Sequence, residues 1–184
     1  MTIEDTLLEM KDTSELMIDL AYSALLYDNE EIARHVIELE EMVDDWDQEV
    51  QKRAVERAIK DRDVEKALVF IRLANSIETI ADGAVLIADV VLRDIEPHPV
   101  VAAALRESDT TIVTVPIPPG SPAVDRNLGE MKIASETGMW VIAIRRGVEW
   151  IYGPDEGTEI REGDLLIARG PVEGEEELRK FIGE

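Results

Sequence analysis

The sequence predicts an α+β protein in which an antiparallel three-helix bundle precedes a small α+β domain with a mainly antiparallel sheet. Helical periodicities fill the first half of the 184 residues, and short β-branched alternations fill the second. Gly83 is the single glycine of residues 1–97, whereas ten glycines follow. Prolines 97 and 99 mark the change, so we assign a helical domain to residues 1–96, a linker helix to 97–109 and the second domain to 110–184.

The first half is typical of three long helices, which short connections make antiparallel neighbours. The first helix is predicted over residues 3–27, and a capping sequence at residues 28–31 starts the second. The second helix has apolar residues alternately four and three positions apart, as in a bundle: Ile32, Val36, Leu39, Val43, Trp46 and Val50. The third is predicted over residues 64–93. It is apolar nearly all round from residue 67 to 92, which indicates a buried helix.

Four polar residues interrupt the third helix at spacings that place them on one stripe: Asn75, Glu78, Asp82 and Asp89. A buried carboxylate without a partner is costly, so these groups should be protonated, hydrogen-bonded, hydrated or bound to a cation. Glu15 and Asp19 of the first helix repeat the spacing of Glu78 and Asp82, and carboxylates on facing helices can share one ion. The candidate ligands for Mg, Ca, Mn or Fe are therefore Glu15, Asp19, Glu78 and Asp82. The alternative is that the stripe on the third helix has a purely structural role.

The second half is typical of strands, turns and short helices. A strand is predicted at residues 111–117, and the prolines around its end keep it at an edge or in a loop. Asn127 and Glu130 form an N-cap pair for a helix that ends at Gly138. Residues 139–145 and 148–152 predict a hairpin, a turn at 162–164 leads into a strand at 165–169, and residues 173–181 predict a closing helix.

Composition excludes several classes of function. The net charge of −22 argues against binding to nucleic acid or to an anionic membrane surface. The absence of cysteine excludes disulfides and zinc–thiolate sites. No apolar run approaches the roughly 20 residues of a membrane helix, and the N-terminus does not resemble a signal peptide, so we expect a cytoplasmic protein without membrane insertion. No Gly-x-Gly-x-x-Gly motif and no serine–histidine pairing is evident, so we expect neither NAD binding nor enzymatic activity.

The order of motifs after residue 110 resembles the TrkA C-terminal domain, also called the RCK C-terminal domain. The motifs are Asn127-Leu-Gly-Glu130, the stretch from Gly138 to Gly147, Glu162-Gly-Asp164 and the stretch from Leu165 to Gly170. The resemblance implies the ligand-sensing lobe of a cytosolic regulator of potassium transport. It implies a pocket at a dimer interface, which binds a cyclic dinucleotide in some members and ions or small anions in others.

The same resemblance nominates ligand-binding residues, namely Ile117, Asp125, Arg126, Asn127, Ile144, Arg145 and Arg146. Residues 125–127 stand where a loop meets a helix N-terminus, which favours anion contacts. The two adjacent arginines at a strand end can pair with phosphate or carboxylate. The alternative interpretation is a capped helix with ordinary surface arginines.

Residues 71–82 resemble the third-helix signature of the PhoU-like helical family. Glu78 and Asp82 take its acidic positions, whereas Thr79-Ile-Ala81 stands where the family has Arg-Ile-Gly. In the second helix, Glu40 with Asp44 fits the acidic motif, and Glu41 with Asp45 fits it equally well. The motif carries metal clusters in some members. The family has two three-helix repeats and this chain has one, so a complete module implies a second copy.

These observations predict a cytosolic regulatory, ligand-sensing subunit of a cation (potassium) channel or transporter. The chain would form a homodimer or a higher even oligomer through its C-terminal domain and bind a small molecule such as a cyclic dinucleotide. One alternative is a PhoU-type metal-binding signalling adaptor for phosphate or metal transport. A third hypothesis is a metal-dependent hydrolase that uses the helix carboxylates.

Overall fold

The computed structural model describes residues 2–95 and 109–183, and it divides into two compact units, residues 1–97 and 98–184. The linker helix predicted at residues 97–109 lies outside the described residues, except for Asp109. Within the described ranges, no helix combines the length and the apolar character that crossing a membrane requires.

The N-terminal unit consists of three long helices: α1 (Ile3–Tyr27), α2 (Glu30–Asp61) and α3 (Val64–Leu92). All three pack against one another, so the predicted bundle is confirmed. The connections are short because capping residues stop and restart the helix within a few positions. Asn29 Oδ1 accepts hydrogen bonds from the first N–H groups of α2, and Asp63 Oδ1 does the same for α3.

The bundle core uses one apolar stripe of each helix. In α2 the predicted seam is buried except at Trp46, which is half-buried. The prediction that α3 is buried all round was wrong, because several of its large apolar side chains are exposed: Val69, Leu73, Ile80 and Leu86. In a three-helix bundle each helix has two neighbours, so part of its circumference must face outward.

The C-terminal unit contains a four-stranded and a two-stranded sheet, which confirms the predicted α+β domain. Its strands are β1 (Thr110–Pro116), β2 (Arg126–Asn127), β3 (Trp140–Arg146), β4 (Glu149–Tyr152), β5 (Glu159–Ile160) and β6 (Leu165–Pro171). The large sheet has the order β1-β6-β3-β4, and β2 pairs with β5; all pairs are antiparallel. Its helices are α4 (Leu128–Met131), α5 (Ile133–Thr137) and α6 (Val172–Ile182).

The helix predicted from Asn127 to Gly138 is divided in two, which corrects the sequence interpretation. Lys132 adopts a left-handed conformation (φ +50°) and separates α4 from α5. A neighbouring loop holds α4 in place, since the Gly129 N–H donates to the Glu156 carbonyl oxygen at 2.8 Å. A Cβ at Gly129 would lie 3.0 Å from the Glu156 Cβ, so this contact suits glycine. Contacts of this kind override local helix propensity.

The core of the C-terminal unit lies on one face of the large sheet. It includes Val113 and Val115 of β1, Leu166 of β6 and Leu178 of α6. β6 passes the end of α5 so closely that a Cβ at Gly170 would lie 2.5 Å from the Gly138 carbonyl oxygen.

Candidate ligand-binding site and acidic cluster

Asp164, at the start of β6, carries the least exposed charge among the described residues, with 1% of its surface accessible. Its carboxylate accepts two hydrogen bonds from Arg146, from Nε at 2.9 Å and from Nη2 at 2.8 Å. It also accepts one from the Arg161 backbone N–H at 2.9 Å. This bidentate pair satisfies the buried charge, and the hydrogen bond that Arg146 donates to Asp164 raises the pKa of Arg146 above its usual value.

The two residues of the Arg146–Asp164 pair connect four strands of the C-terminal unit. The Ile117 N–H donates to the Asp164 carbonyl oxygen (2.8 Å), which ties the end of β1 to the start of β6. Arg146 Nη2 also donates to the Glu159 carbonyl oxygen (2.7 Å), which ties β3 to β5. Two of the predicted ligand-binding residues therefore contact Asp164, Arg146 through the carboxylate and Ile117 through the backbone carbonyl oxygen. Arg146 serves as an anchor of the fold.

Arg145 has the opposite environment, because successive residues of a strand point to opposite faces of the sheet. It lies directly opposite Trp150 of β4 and Leu165 of β6, and it is exposed. Its Nε donates to the Gly147 carbonyl oxygen (3.1 Å), and none of the ion pairs among the described residues includes it. Arg145 is therefore the arginine of the pair that an external anion can reach.

Two aromatic rings extend this face of the sheet. Trp150 stacks on Tyr152, with ring centroids 5.6 Å apart and an interplanar angle of 8°. Both side chains are half-buried, and Trp150 is the cross-strand neighbour of Arg145. The exposed guanidinium of Arg145 can pair with a phosphate, and the neighbouring aromatic side chains can stack on a planar ring of a ligand.

The loop before α4 is largely engaged in its own hydrogen bonds. Asp125 adopts a left-handed conformation (φ +61°), and its N–H donates to the Ile160 carbonyl oxygen. Asn127 Oδ1 accepts from the Glu130 N–H at 2.7 Å, which confirms the predicted N-cap pair. Arg126 is exposed and donates to the Glu130 carbonyl oxygen at 3.1 Å. Because α4 is a single turn, its dipole attracts an anion less strongly than the dipole of the longer predicted helix would.

The two isoleucines that were predicted to bind the ligand lie in the core. Ile117 and Ile144 have 2% and 0% of their surfaces exposed, so their side chains pack beneath the surface of the candidate site. Sequence reasoning placed Asp164 in a turn but missed its role as the acceptor for Arg146. An acidic residue directly after a glycine and before an apolar strand was the available signal, since Gly163 (φ +82°) makes the turn that directs Asp164 inward.

In the N-terminal unit, the acidic stripe of α3 faces α2. Burial raises the pKa of Glu78, and the negative charges of Asp82, Asp47, Asp44 and Glu40 raise it further. Burial likewise raises the pKa of Glu40, and Asp82 adds to the effect. We call these five carboxylates the acidic cluster. The cluster includes Glu40 and Asp44, which the sequence identified as a second match to the acidic motif.

Asp47 is the most enclosed member of the acidic cluster, and burial raises its pKa. It accepts a hydrogen bond from Gln51 Nε2 at 2.5 Å. With its amide nitrogen turned toward α2, Asn75 donates to Asp47 Oδ1 at 3.2 Å. Asn75 thus joins the predicted stripe to α2 by a hydrogen bond, as the structural alternative expected.

The predicted metal ligands of α1 are not drawn into this cluster. Glu15 is exposed and pairs with Lys11 of its own helix at 2.8 Å. The Asp19 carbonyl oxygen accepts from Ser23 Oγ, and its side chain is half-buried. Across residues 2–95 and 109–183, no three acidic or histidine side chains are arranged to hold a metal ion. A metal site at Glu15, Asp19, Glu78 and Asp82 therefore stays a prediction.

Two family models match the chain, one in each unit. Residues 7–91 match the PhoU domain, and residues 112–183 match the TrkA-C domain. Both resemblances that the sequence motifs indicated are thereby confirmed. Both families are regulatory domains.

Three solved structures match the chain at low identity and with TM-scores below 0.5. The chain is 18% identical to the RCK_C domain dimer of S. agalactiae BusR in complex with c-di-AMP, covering 39% of this chain and 93% of that one with a TM-score of 0.37. The RCK C domain of the potassium transport protein KtrA, also with c-di-AMP, is 24% identical over 45% of this chain and 92% of that one, with a TM-score of 0.35. BusR with its busAB-promotor DNA is 16% identical over 64% of this chain, with a TM-score of 0.38, and the chain spans 63% of its length.

Proposed function

Because residues 7–91 form a PhoU domain and residues 112–183 a TrkA-C domain, we propose that this chain is a cytosolic, ligand-sensing regulatory subunit of cation (potassium) transport. The TrkA-C match is the observation that carries the proposal. In it, the C-terminal unit dimerises and binds a small anionic molecule, and a membrane channel or transporter is the partner. The chain acts by binding and catalyses no reaction.

The geometry of the large sheet supports an anionic, ring-containing ligand. Arg145 is an exposed cation on a chain of net charge −22, so it stands out as a place where an anion is attracted. Trp150 and Tyr152 on the same face suit a nucleobase. A cyclic dinucleotide combines both chemistries, since it carries two phosphates and two planar bases.

Binding at a dimer interface would provide the regulatory step. A ligand changes the arrangement of two protomers only if it binds one arrangement more tightly than another. A two-fold symmetric dinucleotide meets this condition when each half contacts one protomer. We therefore propose that the ligand selects one orientation of the paired C-terminal units, which the transport partner then senses.

The test is a thermal-shift series with cyclic di-AMP and linear nucleotides on the wild type, Arg145→Ala and Lys180→Ala. Lys180 is an exposed cation of α6 and serves as the matched control. A ligand at about 100 times its Kd should stabilise the wild type by roughly 2.7 kcal/mol. The proposal expects this shift to persist in Lys180→Ala and to disappear in Arg145→Ala. A wild type that responds to no nucleotide would overturn it.

The second candidate function is a PhoU-type metal-binding signalling adaptor, and the acidic cluster favours it. Burial raises the pKa values of Glu78, Glu40 and Asp47, and the negative charges of neighbouring carboxylates raise them further. A bound cation would offset that repulsion. The test is metal analysis of protein purified without chelator, followed by thermal shifts with Mg²⁺ and Mn²⁺ on the wild type and Glu78→Gln. Retained metal and a shift that Glu78→Gln loses would favour the adaptor.

A further inference from the structure

Helix α3 carries two apolar seams with the same alternation of three and four residues. The first, which we call the buried seam, packs into the bundle: Ala67, Phe70, Ala74, Ile77, Ala81, Ala84, Ala88 and Val91. The second, which we call the outer seam, consists of Val69, Leu73, Ser76, Ile80, Gly83, Ile87 and Val90. At 100° per residue, the two seams lie roughly 100° apart around the helix. Repeats of this spacing are those by which one helix packs along another.

The outer seam is exposed from Val69 to Ile80 and half-buried from Gly83 to Val90. Val69, Leu73 and Ile80 expose 61%, 48% and 44% of their surfaces, and Ser76 is exposed as well. A Cβ placed on Gly83 would meet no atom within 4 Å, so this position also borders open space. A contiguous exposed apolar stripe on a soluble unit indicates an interaction surface.

The order of residues in the outer seam is close to a palindrome centred on Ile80. Reading outward from Ile80, each direction meets a small residue (Ser76 or Gly83) and then two large apolar residues. If two copies run antiparallel, Ser76 faces Gly83, Leu73 faces Ile87 and Val69 faces Val90. Such a self-complementary surface is what a two-fold symmetric contact requires, since each patch meets its own copy. The facing small residues also permit a close approach of the two helix backbones.

The charges at the ends of α3 fit the same arrangement. Glu65 precedes the outer seam, and Arg93, the C-cap residue of α3, follows it. At the 3.5-residue periodicity of helices that pack along one another, their separation of 28 positions is eight turns, which places them on the same side of the helix. An antiparallel copy therefore places Glu65 of one helix near Arg93 of the other, whereas a parallel copy places like charges together. The seam itself carries no charge, which lets two strongly acidic chains meet there.

We infer that the outer seam is a second self-association surface, in which α3 of one copy packs antiparallel against α3 of another about a two-fold axis through Ile80. This contact lies in the N-terminal unit. It is independent of the dimerisation proposed for the C-terminal unit and of any ligand. Its occupant is a second copy of this chain.

Cysteine cross-linking tests this geometry directly, because the chain has no cysteine of its own. In the full-length protein, Ile80→Cys should form a disulfide-linked dimer under mild oxidation, since the axis brings the two thiols together. The linkage should form at least about tenfold faster than in Ile59→Cys, because pairing raises the effective thiol concentration. Ile59 is an apolar position on α2 that is more exposed than Ile80 (76% against 44%), so greater accessibility alone would favour the control.

A pair of single-cysteine variants fixes the direction of the two helices. Leu73→Cys and Ile87→Cys should each link poorly alone but should link to each other when mixed after reduction and reoxidised. Self-linkage of Leu73→Cys would indicate a parallel contact and overturn the inference. Failure of Ile80→Cys to link, or linkage no faster than that of Ile59→Cys, would overturn it as well. None of these outcomes depends on a nucleotide, so the ligand-sensing proposal is tested separately.

Discussion

The two units of this chain differ in what surrounds their buried or half-buried carboxylates. In the C-terminal unit, Asp164 is buried but is matched by the bidentate Arg146 and by a backbone N–H. In the N-terminal unit, Glu78 of α3 and Glu40 of α2 lie near other carboxylates of the acidic cluster, and burial together with those negative charges raises the pKa values of both. The ion pair holds Arg146 and Asp164 in one arrangement. In the acidic cluster, by contrast, the carboxylates repel one another, and binding of protons or cations would relieve that repulsion.

This difference matches what each unit is proposed to do. A ligand-sensing sheet needs side chains held in place, and the Arg146–Asp164 pair holds the strand that presents Arg145. A cluster of carboxylates that repel one another is suited to bind protons or cations from solution. The following predictions probe the contrast, beginning with the largest expected effect.

Removing Arg146 should be the most damaging of the substitutions considered. Arg146→Ala leaves Asp164 buried and without its main partner, which costs about 3–5 kcal/mol of unfolding free energy. Arg145→Ala, one residue earlier on the exposed face, should change stability by less than about 0.5 kcal/mol. Urea unfolding followed by tryptophan fluorescence compares the two. Equal losses in both variants would contradict the assignment of Arg146 as the anchor.

The glycines of the two units should respond to alanine with opposite signs. Gly170→Ala places a methyl group 2.5 Å from the Gly138 carbonyl oxygen and the Met139 sulfur, and overpacking of this kind costs about 1–3 kcal/mol. Gly83→Ala meets no atom within 4 Å and improves helix propensity, so it should stabilise α3 by up to about 1 kcal/mol. Denaturant midpoints measure both effects. A tolerant Gly170→Ala would show that the C-terminal unit is less tightly fixed than we describe.

Neutralising Glu78 should stabilise the bundle at neutral pH by about 0.5 kcal/mol, the size of a like-charge contact between partly exposed side chains. Its pKa is raised in the folded state, so the folded protein binds more protons than the unfolded chain above about pH 4.5. The repulsion is therefore absent below the unfolded pKa and sets in as pH rises through the folded one.

The advantage of Glu78→Gln over the wild type should accordingly be largest near pH 7 and should vanish toward about pH 4.5. Thermal unfolding followed by helical circular dichroism at several pH values measures it. Glu9→Gln, at an exposed position on α1, is the matched control and should show no such trend. An advantage independent of pH would argue against repulsion as its cause.

Periodic features of the sequence predicted the fold well. Helices α1 and α3 begin and end within a residue of the predicted bounds, and α2 begins within the predicted capping sequence, because apolar spacing and capping residues such as Asn29 and Asp63 are local signals. The N-cap at Asn127 was predicted for the same reason. The strands of the large sheet followed from alternation and from turn glycines such as Gly163, whereas the two-residue strands β2 and β5 were not predicted.

Features that depend on distant residues were not predictable in this way. The different roles of Arg145 and Arg146 depend on Asp164, which lies 18 positions away from Arg146. The break at Lys132 depends on contact with a loop, and the acidic stripe faces α2 because of how three helices are arranged in space. A local pattern identifies residues that can carry charge chemistry, but only the fold shows which partner each one meets.

The most direct test of the central proposal is a calorimetric titration of the full-length protein with cyclic di-AMP, reporting both affinity and stoichiometry. A two-fold symmetric ligand that bridges paired C-terminal units should bind at one molecule per two chains. Arg145→Ala should abolish the binding heat, whereas Lys180→Ala should retain it. One ligand per chain would contradict binding across a dimer, and no binding heat in the wild type would contradict the proposed ligand class.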